Sequence, residues 1–231
     1  FCYINEPVLT IQRLLAMGLA RIAYIDIDAH HCDGVAIAFA GSAQVQMISI
    51  HEDRRWPFTG GLDDTAGGAA INIPVPRGFN DTEFDLILNE VILPAVAQHD
   101  PDAIYLQCGA DAVSEDPLSR LTLSNRCHMH AVKALRSLAP RLIVSGGGGY
   151  NPWSVGRAWA CVWATLAGQE IPDHVSDTAS DILRGLHWTR KAKPSQALLT
   201  TLMDPPRHGA VSDQVRHAVE TVNRRSHFWG R

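Results

Sequence analysis

One stretch limits the fold more than any other: Ile22-Ala23-Tyr24-Ile25-Asp26-Ile27-Asp28-Ala29-His30-His31-Cys32-Asp33-Gly34. It begins as strand-forming sequence, with β-branched or aromatic side chains at Ile22, Tyr24, Ile25 and Ile27. It then crowds aspartates and histidines into a few residues. Buried carboxylates are costly unless paired or bound to a metal. Asp28 and His30 alternate, so both side chains can leave on one side of the strand end. A carboxylate beside an imidazole suits zinc or a similar divalent ion. The plainer alternative is a polar loop in which Asp28 and His30 only hydrogen-bond. The density of charge, and partner motifs downstream, favour the metal.

The rest of the chain alternates strand and helix. A helix follows Asn5, with Val8, Ile11, Leu14 and Leu15 on one stripe and Gly18 as its stop. Further strands are predicted at 45–50, 70–75, 102–108 and 141–145; Pro74 marks the 70–75 piece as an edge or strand end. Helices are predicted at 35–40, within 121–138, and at 155–167, with another capped by Asp81 and kinked at Pro94. His51 to Gly68 reads as a long loop of the kind that often carries function. Such alternation argues a parallel sheet between helices, with the chemistry at the carboxyl ends of its strands. Beyond Pro172 the signal weakens to helices near 177–188 and 212–223 around a Pro205-Pro206 link. The expectation is a single domain over 1–231, with a helical extension from about 172.

Composition excludes several classes. A net charge of −4 leaves no nucleic-acid footprint. No apolar run is long enough to span a bilayer, and no signal peptide is expected. Five cysteines without a C-x-x-C pair read as free thiols in a reducing compartment, which predicts a cytoplasmic protein.

Two more strand ends carry polar chemistry. Asp111 follows the 102–108 strand behind Gly109; it is a candidate third ligand, and otherwise a loop cap. Two carboxylates and one histidine would hold zinc with a position open to water and substrate. Tyr150 follows four glycines. Such a run is entropically costly and allows close backbone approach to a ligand. A phenol placed there can donate to an oxyanion. The alternative is a flexible turn before a helix capped by Asn151.

Together, Tyr24 to Phe39, Gly109-Ala110-Asp111 with Asp116-Pro117-Leu118, and Gly146 to Asn151 resemble the zinc-dependent histone deacetylase superfamily. Within it, the bacterial acetoin-utilisation deacetylases look most similar. Phe1-Cys2-Tyr3-Ile4-Asn5 resembles the family's segment just after its catalytic histidines, and the match runs to about residue 170. The resemblance implies a three-layer α/β, arginase-like fold. It implies a zinc site at Asp28, His30 and Asp111, with Tyr150 as oxyanion donor and Asp26 and Asp33 orienting the histidine pair. It also implies a structural potassium ion near Asp26, Asp28, His30, Ser49 and Ile50. Phe1, Trp56, Leu118 and Gly148 correspond to positions of the acyl-lysine tunnel. Cys32 stands where the family usually has glycine, and its thiol adds a site for oxidation.

The implied activity is amide hydrolysis that frees acetate from acetyl-lysine on a protein, or from a related acylated amine such as an acetylpolyamine. The family's histidine pair lies upstream of the position of Phe1, so residues 1–231 alone are expected to be impaired. One competing reading is a deacetylase-like binding module without turnover. Another is an arginase-type ureohydrolase, which needs two further aspartates where Cys32 and Val113 stand.

Overall fold

The computed structural model describes residues 3–190 and 193–226. Phe1, predicted to wall a tunnel, lies outside them. Five strands form one wholly parallel sheet: β1 (Ile22–Asp26), β2 (Val45–Glu52), β3 (Ala70–Val75), β4 (Ala103–Gln107) and β5 (Leu142–Ser145). Their spatial order is β3-β2-β1-β4-β5. The chain starts in the middle, builds outward to β3, then returns to the other side of β1. The strand order therefore reverses between β1 and β4, and open parallel sheets place their clefts beyond the carboxyl ends at such a point. Asp26 and Gln107 are register partners there.

Side chains divide by the two-residue period of a strand. Ala23, Ile25, Ile48, Ile50, Ile71, Ile73, Ile104 and Leu106 face one core; Ile22, Tyr24, Val45, Met47, Ala103 and Tyr105 face the other. Every residue of β1 is buried, as a central strand covered on both faces requires. On the second face lie α1 (Glu6–Ala16), which buries Ile11, and α2 (Asp33–Ala38), which buries Val35. The first face is covered by α3 (Asp81–Ile87), α4 (Leu93–His99), α5 (Arg126–Leu135) and α6 (Pro152–Ala167).

The C-terminal third holds α7 (Asp177–Gly185), α8 (Gln196–Thr200) and α9 (Asp213–Ser226). Val215, Ala218, Val219 and Val222 recur at helical spacing and close the first core. A buried ion pair, Arg157 to Asp204 at 2.7 Å, ties the segment after α8 to α6.

Several boundaries differ from expectation. Asn80, not Asp81, caps α3: its side chain accepts from Thr82 and Glu83 N–H while Glu83 reaches back to Asn80 N–H. Asp81 turns inward, accepting from the Ser124 hydroxyl at 2.7 Å and from Ser124 and Arg207 N–H. Before Pro94 the helical backbone widens without breaking: a π-helical turn over Leu88–Ile92 joins α3 to α4, and the residues at both of its ends keep right-handed helical angles. Pro94 follows directly on this turn, where the widened i→i−5 pattern accommodates a residue without an N–H. α8 had no signal in the sequence.

Candidate metal centre and its cavity

Beyond β1 the backbone leaves the sheet and turns at Asp28-Ala29-His30. Asp28 and Asp111 are buried, at 6% and 0% exposure. One ligand atom from each of Asp28, His30 and Asp111 lies within 4.8 Å of the others. His30 Nδ1 is 3.0 Å from Asp28 Oδ1 and 2.9 Å from Asp111 Oδ2. The surrounding backbone orients both carboxylates. Ala29 N–H donates to Asp111 Oδ1 at 2.9 Å, and Gly148 N–H donates to Asp28 Oδ2 at 2.8 Å. Gly148 allows this approach because a Cβ there would lie 2.0 Å from Asp111 Oδ2.

Electrostatics fits a cation at this point. Burial opposes the charge on Asp28, but hydrogen bonds from His30, Gln107 and Gly148 outweigh it and hold its pKa below the usual value. Burial and the Asp28 charge push Asp111 up to about 7. Burial would lower His30, yet its bonds and proximity to Asp111 and Asp28 raise it to about 10. The trio thus grips a proton tightly, which is what two buried carboxylates do when they are built to share positive charge. Oxygen, nitrogen and oxygen donors on converging elements suit zinc.

Other predicted residues gather on the same cavity, an open cleft of about 640 Å³. Its walls include Asp26, Asp33, Trp56, Gly148 and Tyr150. Asp26 is buried; it accepts from the Tyr24 hydroxyl at 2.5 Å and from Asp28 N–H at 3.0 Å. Burial and the neighbouring Asp28 charge raise its pKa well above the ordinary value. Asp33 opens α2, and its Oδ1 accepts from Gly34 N–H. Tyr150 is held by its backbone, donating to Asp116 Oδ2 at 2.6 Å. Leu118 does not line the cleft; its N–H donates to the other oxygen of Asp116 at 2.8 Å. Ser49 sits opposite Asp26 in the β1–β2 register, and Ile50 is buried in the sheet core.

His31 turns to the loop after β2 instead of to the ligand trio, and meets Thr59 Oγ1 at 2.8 Å. The Cys32 thiol is buried, and burial and the Asp26 charge raise its pKa well above the usual value. A thiol kept protonated is a poor nucleophile, so the structure argues against the oxidation expected from its sequence position. Among the described residues Cys32, Cys108, Cys127 and Cys161 are all free.

Sequence reasoning missed four supporting groups. Gln107 donates to Asp28 Oδ2 at 3.0 Å and accepts from Gly109 N–H at 2.7 Å. Ser119 Oγ donates to the Asp111 carbonyl at 2.5 Å. His128 Nε2, from α5, donates to the Gly109 carbonyl at 2.8 Å. Asp116 lay within a quoted motif but had no role assigned. Only Gln107 carried a usable signal, as a polar residue closing an apolar strand.

Comparison with known proteins agrees with this geometry. The histone deacetylase domain model matches residues 1–166. Histone deacetylase 9 of Arabidopsis thaliana is 37% identical over 183 residues, covering 77% of this chain and 43% of its own length. Histone deacetylase HOS1 of Saccharomyces cerevisiae is 38% identical over 162 residues, covering 68% of this chain and 34% of its own. The chain thus spans less than half the length of these curated relatives. Among solved structures, an HDAC homolog from Aquifex aeolicus superposes with a TM-score of 0.89 at 37% identity, covering 96% of this chain and 62% of that one. An HDAC homolog complexed with SAHA gives a TM-score of 0.88 at 35% identity, with the same coverage.

Proposed function

This chain belongs to the histone deacetylase family, and from that membership we propose that it is a zinc-dependent deacetylase of protein acetyl-lysine or a related acylated amine. The convergence of Asp28, His30 and Asp111 at the base of an open cleft carries the reading. Zinc, when bound by these three, would polarise the acyl carbonyl and acidify water. Trp56 and Gly148 flank the path of an aliphatic stem, and Tyr150 donates to the carbonyl oxygen as it gains charge. Acetate and a free amine are the products. The bacterial acetoin-utilisation branch and a cytoplasmic location belong to the same reading.

A structural potassium ion near Asp26, Asp28, His30, Ser49 and Ile50 is also proposed. His51 supports it. Its Nε2 meets the Gly60 carbonyl at 2.9 Å and so must be the protonated nitrogen, leaving Nδ1 to accept from the Ser49 hydroxyl at 2.9 Å. Ser49 spends its proton there and keeps its oxygen lone pairs for a cation.

Proton transfer is the weak part of these residues. Among the described histidines only His30 and His31 line the cleft. The first belongs to the trio and the second is turned to Thr59. We therefore propose that these residues by themselves turn over substrate poorly. This observation also favours, as second reading, a module that binds acylated lysine without hydrolysing it. A ureohydrolase finds no support: Cys32 and Val113 occupy the positions of its extra ligands, and the trio is the single such cluster among the described residues.

The test measures metal content and acetate release together. The expected result is one zinc per chain, lost in Asp111→Asn, with acetate released slowly from an acetyl-lysine peptide. Binding of the peptide without any release selects the module. Failure to bind zinc in the intact protein removes both readings.

A further inference from the structure

The segment after β2 walls the cleft with Trp56, and its backbone is not relaxed. Arg54 and Phe58 hold φ of 55° and 64°, in the left-handed region that non-glycine residues avoid. Something must hold such a loop. Its near end is fixed by Arg55, whose Nε and Nη2 form a fork at 2.9 and 2.7 Å on the buried carboxylate of Glu52.

The far end is fixed by two histidines. His31 Nδ1 shares a hydrogen bond with Thr59 Oγ1 at 2.8 Å, and His51 Nε2 donates to the Gly60 carbonyl at 2.9 Å. The two rings pack with centroids 4.9 Å apart, and both residues are buried. Gly60, at φ 77°, lies against both of them. A Cβ there would stand 2.5 Å from His31 ring carbons and 2.8 Å from His51 Nε2. No other residue fits between the rings and the loop.

We propose that His31 and His51 are positioning residues that clamp the 53–61 loop at Thr59 and Gly60, and so fix Trp56 as the wall that sets which acyl stems the cleft accepts. The inference rests on the deacetylase reading for its substrate, though not for its geometry. It gives His31 a role its sequence position conceals. His30 turns to the metal trio and His31 to the substrate wall, so one dipeptide sets the distance between them. Bracketed by the Glu52–Arg55 fork and this clamp, Trp56 has little freedom to swing.

Thr59→Val keeps the shape of the side chain and removes the hydroxyl that His31 needs; Thr59→Ser restores it. The full chain is used throughout. Amide hydrogen exchange over 54–60 is expected to rise about tenfold in Thr59→Val, the effect of losing one partly buried hydrogen bond. It should return to the wild-type rate in Thr59→Ser, with β1 unchanged. Affinity for an acetyl-lysine peptide should fall in Thr59→Val while affinity for zinc alone stays constant. Thr59→Ala serves as second variant should Thr59→Val not fold, with the same pattern expected. Unchanged loop exchange in Thr59→Val or its substitute overturns the proposal, as does zinc affinity that falls in step with peptide affinity. If the unsubstituted chain binds no acetyl-lysine peptide, the deacetylase reading fails, and the claim for Trp56 as an acyl-lysine wall falls with it. The clamp itself is then judged by exchange, which needs no ligand.

Discussion

Gly148 and Gln107 show how much of the candidate metal centre depends on groups that are not its proposed ligands. In Gly148→Ala the added methyl must displace the Asp111 carboxylate, because the two would sit 2.0 Å apart. Chelator competition should show zinc affinity reduced about 10- to 100-fold, the usual cost of disturbing the groups that orient a ligand. Gln107→Leu removes a donor to Asp28 and should weaken zinc to a similar degree while leaving the fold intact. Tyr150→Phe is the opposite case. Zinc content should be unchanged and turnover lower by about 10²-fold, relative to the same chain unsubstituted; equal turnover would remove the phenol from the mechanism. The proposed ligands were readable from the sequence, because the density of charge and the motifs downstream outweighed the plainer reading of D-x-H as a polar loop. Their orienting partners were not. Ser119 and His128 reach the site from loop and helix positions with ordinary local patterns, and Asp81 looked like a cap because a capping residue and a buried acceptor share one residue type.

Elements follow local pattern closely wherever one face is buried. The parallel sheet, its central strand and the edge position of β3 all follow from apolar runs, their spacing and Pro74. The ends of elements follow less well, because caps and turns compete over one or two residues. Asn80 and Asp81 are both good caps, and the choice fell to Glu83, which completes a reciprocal pair with Asn80. Asn80 Nδ2 also donates to the Ala210 carbonyl at 3.1 Å, joining α3 to the segment before α9. Asn80→Ala should therefore cost about 1–2 kcal/mol in urea unfolding, toward the upper end for a cap. Asp81→Ala should cost more, because it strands the buried Ser124 donors and Arg207 N–H. If the two rank in reverse order, the Asp81 carboxylate is not the buried acceptor that these bonds describe.

Across the molecule, the buried histidines make stability depend on pH. Burial, then the charge of His31, lowers His51 to about 4. Burial lowers His128 as well. Both are therefore neutral in the fold, and each is a donor to a carbonyl that holds a loop beside the cleft. Above about pH 6.5, the ordinary histidine value, folded and unfolded chains are alike in charge at these sites. Below it the unfolded chain takes up a proton that folded His51 refuses, and stability falls by about 1.4 kcal/mol per pH unit for that one group. The fall ends near pH 4, where His51 protonates in the fold too, for a total of about 3 kcal/mol. Asp26 and Asp111 are shifted upward and oppose this slope over the same range, so the raw curve of the metal-free chain mixes the two. The difference between wild type and His51→Gln isolates the histidine, because the carboxylates are common to both. Urea unfolding from pH 7.5 down to 4.5 should show wild type losing stability faster than the variant, with the gap between them closing as pH falls. Parallel curves would mean that His51 takes up its proton as readily in the fold as in the unfolded chain. Its donation to Gly60 would then no longer fix the tautomer, and Ser49 would lose the acceptor that takes up its proton.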